Sequence, residues 1–210
     1  MNNRELYQME LEMNKGIAKQ LYNDTVQQTN NTYENTKMTI EDFIMTPMDL
    51  PTPGKLYLGN LSSLTGDLYK KYQINYIVSI YDLSPDMVKT DIIHEIYRLE
   101  DRPDPENVSK MNEILDSIGK NINSALTSGY NVLVHCFGGV SRSATVVIDY
   151  IMRYHIKCPR EAPVGCVAMI DDCGCVSKAI SYVKAKRKIV CPNPGFICCL
   201  LDRHLDRIYK

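Results

Sequence analysis

The residues of this chain best suited to chemistry are a thiol and a guanidinium held at the two ends of one short stretch. They are Cys136 and Arg142 in NVLVHCFGGVSRSATVVIDYIM, residues 131–152. Gly138 and Gly139 lie between them, and Ser141 and Ser143 flank the arginine. Two glycines let a loop curl until successive backbone N–H groups face one concavity, which binds an anion without lysine. An arginine at the end of that loop grips two oxygens of a phosphate at once, which a lysine cannot do. A thiol in such a positive field is held as the thiolate, the form that attacks. This is chemistry for attacking a phosphate.

Two elements must hold that loop. Val132, Leu133 and Val134 form an apolar run too short for a helix and rich in β-branched residues, so they read as a buried strand. Ala144, Val146, Val147, Ile148, Ile151 and Met152 are apolar on nearly all sides, as in a buried helix. The loop therefore opens a helix, whose first N–H groups lack intrahelical partners and carry the positive end of the dipole.

His135-Cys136, five residues, Arg142 and then Ser143 resemble the signature of the cysteine-based protein tyrosine phosphatases. The fuller run VHCFGGVSRSATVVIDYIM is similar to the dual-specificity branch over its length. The resemblance covers roughly residues 54–210 apart from an insertion. It implies a protein tyrosine phosphatase-like α/β fold, no cofactor and no metal. It implies Cys136 as nucleophile, with Arg142 and the loop from Phe137 through Gly138, Gly139 and Val140 to Ser141 as the phosphate cradle. By the same resemblance, Ser143 stabilises the thiolate as it leaves, and His135 orders the loop by hydrogen bonding.

The phosphoryl leaving group needs a proton, because an alkoxide leaves poorly. Strands separated by helical segments imply βαβ units and a largely parallel sheet, here four to five twisted strands flanked by helices. The strands are read near 54–64, 74–82, 92–99 and 132–134, with a short helix at 67–73. Active sites of such sheets form beyond the carboxyl ends of the strands, so the loop LEDRPDPENVSK should approach Cys136. Asp104 precedes Pro105 and reads as the N-cap of a helix whose Val108, Met111, Ile114, Leu115, Ile118, Ile122 and Leu126 share one face. That leaves Asp101 as the favoured acid, also the place where the family carries its aspartate, with Asp104 as the alternative.

The rest of the chain divides unevenly. Residues 1–48 read as an extension, with Leu6, Met9, Met13, Ile17 and Leu21 at helical spacing followed by a polar linker at 23–37. Such a helix docks on its own domain, pairs two chains as a homodimer, or binds a partner. Residues 49–210 read as the catalytic domain, with an insertion near 157–176 that carries Cys158, Cys166, Cys173 and Cys175. These cysteines include no CxxC pair and no accompanying histidine, so a zinc site is not expected and a loop on the rim of the active site is. Lys184, Lys186, Arg187 and Lys188 read as the solvated end of a helix, where cations suit the dipole. FICCLLDRHLDRIYK reads as a final amphipathic helix packed on the sheet.

Bulk composition narrows the partners. A formal net charge of −1 over 210 residues gives no reason to expect nucleic acid or membrane. No apolar run approaches the roughly 18 residues of a membrane span. Eight cysteines with a polar, charged N-terminus point to a reducing, cytoplasmic setting with free thiols. The expected function is a protein phosphatase acting on phosphotyrosine and phosphoserine or phosphothreonine. The alternatives are a phosphatase of phosphoinositides or RNA 5′ triphosphates, and a module that binds phosphoproteins without turnover. The cradle contains no lysine, which argues against the more highly charged substrates.

Overall fold

Alternating side chains along three short strands build the centre of the molecule. In the computed structural model, which describes residue 23 and residues 40–65, 68–157 and 174–209, strand β2 (Leu56–Gly59) lies beside β5 (Asn131–His135), and β5 beside β3 (Ile74–Ser79). Leu56, Leu58, Tyr76, Val78, Val132 and Val134 turn to one face and Tyr57, Ile77 and Leu133 to the other, as a period of two demands. Both faces are buried, which explains strands that read as continuous apolar runs. The edges are β1 (Met45–Met48), antiparallel to β2, and β4 (Ile93–Ile96), parallel to β3, giving the order β1-β2-β5-β3-β4.

The fold is the expected α/β arrangement of a mainly parallel five-stranded sheet with helices on its faces. One boundary moves. Met45–Met48, expected to belong to the N-terminal extension, is a strand of the sheet, preceded by the short helix α1 (Ile40–Ile44). Pro47 obscured it in the sequence, yet an edge strand tolerates a proline that a central strand would not. Pro47 is exposed, while Met45 and Met48 are buried. The expected N-terminal helix and most of the cysteine-bearing insertion lie outside the described residues.

Helices α3 (Pro105–Thr127), α4 (Arg142–Tyr154), α5 (Cys175–Lys186) and α6 (Pro194–Tyr209) share the larger core with one face of the sheet. The short α2 (Leu68–Lys71) and the turn at Leu61–Leu64 cover the other face over a smaller cluster that includes Leu64, Tyr69 and Leu83. α4 is the central helix: every residue from Arg142 to Met152 is buried. That is why its sequence is apolar on nearly all sides. Helix α6 packs chiefly against α3, α4 and α5 rather than directly on the sheet as expected. α4 already occupies the sheet's surface there.

Candidate active site

The loop between β5 and α4 is shaped by where its carbonyls go. The Cys136 carbonyl faces His135 Nδ1 at 3.3 Å, and that of Phe137 accepts from Leu61 N–H at 3.0 Å. Arg187 donates to the carbonyls of Gly138 (3.4 Å) and Gly139 (2.9 Å). Val140 accepts from Cys191 N–H at 2.9 Å, and Ser141 from both the N–H and the hydroxyl of Thr145. All six carbonyls from Cys136 to Ser141 are thus engaged. In a trans peptide the following N–H points the opposite way, so the amides turn inward as an anion cradle. Gly139 adopts φ +65°, and a Cβ there would stand 2.5 Å from the Gly59 carbonyl oxygen. Only glycine fits that position.

The cradle closes on the sulfur. Gly139 N–H donates to Cys136 Sγ at 3.3 Å and Ser143 Oγ–H at 3.1 Å, and Cys136 itself is buried. Arg142 is 9% exposed and anchored by one donor to the Leu99 carbonyl at 2.9 Å. No hydrogen-bond acceptor reaches its Nε among the described residues. A buried guanidinium nitrogen without a partner is costly, and a phosphate oxygen would satisfy it. The ring of Tyr81 lies 5.3 Å from the guanidinium carbon and 5.6 Å from the ring of Phe137, which is itself exposed.

The two aspartates of the loop after β4 have separate surroundings. Asp104 caps α3, accepting from Asn107 N–H at 3.0 Å. That backbone bond, with the Asn107 side-chain amide, holds its carboxyl below the usual range. Asp101 accepts from the Ser141 hydroxyl at 2.6 Å and from Asn193 Nδ2 at 2.8 Å, and its Oδ2 stands 3.8 Å from Arg142 Nε. So the structure brings Cys136, Arg142, Ser143 and Asp101 together and leaves Asp104 at the helix end. The hydroxyl of Ser141 bridges Asp101 and the Asn193 N–H, so its backbone, rather than its side chain, belongs to the cradle.

Three contributors escaped the sequence. Arg187, read as part of a solvated basic run, is fully buried. It donates to Thr46 Oγ1 and the Phe43 carbonyl as well as to the two glycine carbonyls. The α5 helix ends at Lys186, so Arg187 leaves the helical face that its neighbours share and turns inward. Asn193 had a weak signal in Cys191-Pro192-Asn193-Pro194, since a residue between two prolines is conformationally restricted. Tyr81 had none.

A cleft of about 670 Å³ opens beside Arg142, lined in part by Tyr81, Asp82, Arg98, Glu100, Arg102 and Lys110. Its cations face acids: Arg98 meets Asp82 at 2.9 Å, Arg102 meets Asp104 at 3.1 Å, and Lys110 meets Glu106 at 2.7 Å. Among the described residues no group of three or more Cys, His, Asp or Glu is placed to hold a metal, and no helix is long and apolar enough to cross a membrane.

This architecture has relatives. Residues 56–162 match the family model for the dual specificity phosphatase catalytic domain, and the chain belongs to that family. It is 34% identical over 145 residues to dual specificity protein phosphatase 15 of Rattus norvegicus, which covers 69% of this chain and 52% of that one. It is 30% identical over 148 residues to dual specificity protein phosphatase 1 of Arabidopsis thaliana, covering 70% of this chain and 64% of the relative. The chain therefore spans roughly half to two thirds of these relatives' lengths. The solved Yvh1 phosphatase domain from Chaetomium thermophilum superposes with a TM-score of 0.62 at 25% identity, over 78% of this chain and 96% of that one.

Proposed function

We propose that this chain is a protein phosphatase that hydrolyses phosphotyrosine and phosphoserine or phosphothreonine through a phosphocysteine intermediate. The observation that carries it is the convergence of Ser143 Oγ–H and Gly139 N–H on Cys136 Sγ, within a loop whose carbonyls all point away. The sulfur attacks phosphorus while the loop amides and Arg142 hold the equatorial oxygens. As the phosphorus–oxygen bond breaks, Asp101 gives its proton to the leaving oxygen. Water then attacks the phosphocysteine, Asp101 takes a proton from it, and the electron pair returns to sulfur. The Ser143 hydroxyl meets that returning charge. The cycle needs no cofactor. It does need a reduced thiol, which favours a reducing, cytoplasmic setting.

The paired charges of the cleft support phosphoprotein over polyphosphorylated substrates, which call for surplus cations. The test is turnover of an aryl phosphate. Cys136→Ser is expected to abolish it while binding of a phosphotyrosine peptide persists. Wild-type rates in the serine variant would overturn the proposal, and peptide binding by the unaltered chain without turnover would leave only a binding module.

A further inference from the structure

A chain of hydrogen bonds runs from the loop before β4 to the peptide that bears the nucleophile. Lys89 N–H donates to His94 Nδ1 at 2.9 Å. His94 Nε2 lies 2.7 Å from Ser79 Oγ, which lies 2.5 Å from His135 Nε2. His135 Nδ1 then faces the Cys136 carbonyl oxygen at 3.3 Å. Ser79 and His135 are fully buried neighbours in register on β3 and β5, while His94 on β4 is half-buried.

The direction of this chain follows from its first member. A backbone amide only donates, so His94 Nδ1 must accept and carries no proton. Neutral His94 then bears its hydrogen on Nε2 and donates to Ser79 Oγ. The hydroxyl's single hydrogen is left for His135 Nε2, which leaves His135 with its own hydrogen on Nδ1, aimed at the Cys136 carbonyl. The opposite tautomer of His135 would leave the buried Ser79 hydroxyl without an acceptor. It would also set a ring lone pair against a carbonyl oxygen. Each of those faults costs more than the net value of a normal hydrogen bond.

We propose that His94, acting through Ser79, is a positioning residue for the nucleophile: it sets the tautomer of His135 and thereby holds the Cys136 peptide at the mouth of the cradle. This rests on the phosphatase reading for its effect on rate, but not for its effect on the ring. The charged group facing His94 is Lys89, and His135 faces it through Ser79. Burial pushes both histidines toward the neutral form the relay requires.

The experiment combines nitrogen NMR of histidine-labelled protein at neutral pH with steady-state kinetics on an aryl phosphate. In the unaltered chain, His135 is expected as the Nδ1–H tautomer. His94→Leu removes the donor to Ser79 and is expected to give a mixture of tautomers, with kcat lower by about fivefold, the scale of one hydrogen bond, and little change in KM. His94→Gln places an amide N–H near the position of Nε2 and is expected to restore both tautomer and kcat. A His135 ring that stays Nδ1–H with unchanged kcat in His94→Leu overturns the proposal, as does failure of the glutamine to restore either. An unaltered chain without phosphatase activity but with the expected tautomer shift would refute the functional reading and leave the relay standing.

Discussion

Asp101 and Asp104 sit three residues apart in different surroundings, and the proposed mechanism gives the proton transfer to Asp101 while Asp104 caps α3. Asp104 is held anionic by Asn107. Asp101 accepts from a hydroxyl and an amide and stands 3.8 Å from the Arg142 guanidinium. A general acid acts in its protonated form, so rate falls as pH rises through its titration. Asp101→Asn is therefore expected to lower kcat by about a hundredfold and to erase the basic limb of the pH–rate profile. Asp104→Asn is expected to keep that limb. Loss of the limb only in the Asp104 variant would transfer the role. Asn193→Ala, which frees Asp101 on one side, is expected to lower kcat less than the aspartate change does.

At the scale of elements, the cradle is fastened to the rest of the fold through Arg187. This residue stands just past α5, yet its donors reach two loop carbonyls and the β1 edge. Burying a guanidinium is unfavourable unless its donors are used, and here the described acceptors surround it. Arg187→Met fills similar volume but leaves those carbonyls without a donor. It is expected to lower unfolding free energy by about 3 kcal/mol and to reduce kcat with it. Arg187→Lys keeps the charge but not the fork, and is expected to recover only part of the stability. Urea unfolding and turnover in parallel check both. Equal stability in all three proteins would remove the fastening role.

The whole molecule brings loops from β4, β5 and the α5–α6 junction to one end of the sheet. Its helices are joined by charge as well as by apolar packing: Arg203 on α6 donates to buried Asp149 on α4 at 2.9 Å, and both Arg203 and Arg153 reach Asp116 on α3. Those arginines hold Asp116 down to about 2, so its contribution is present above its ordinary value of 3.8 and fades only as pH falls toward 2. His135 acts at milder acidity. Burial holds it at about 4 against an ordinary 6.5, so between those values the unfolded chain binds the extra proton and stability declines as pH falls. The displacement corresponds to roughly 3 kcal/mol lost by pH 4, with His94 and His155 acting in the same direction. Unfolding free energies at pH 6.5, 5.5 and 4.5 measure it. A flat profile would mean that His135 does not stay neutral in the folded chain.

The sequence by itself determined the loop from Cys136 to Arg142, its strand and its helix, because those depend on neighbours a few residues away. Apolar period, paired glycines and the cap at Asp104 are local signals of that kind. The family followed from the same stretch, and the mainly parallel sheet from the alternation of strand and helical segments along the chain. Tertiary structure alone decided what lies far off in the chain. Arg187 and Thr46 meet across 141 residues, Asn193 and Asp101 across 92, and Ser79 and His135 across 56. No spacing rule reaches so far, since these partners are chosen by which strand ends and loops the sheet order sets side by side. Pro47 in the edge strand and Arg187 in the basic run have the same explanation: each broke or followed a local pattern, while distant contacts determined its place, pairing with β2 for the strand of Pro47 and the loop carbonyls for Arg187.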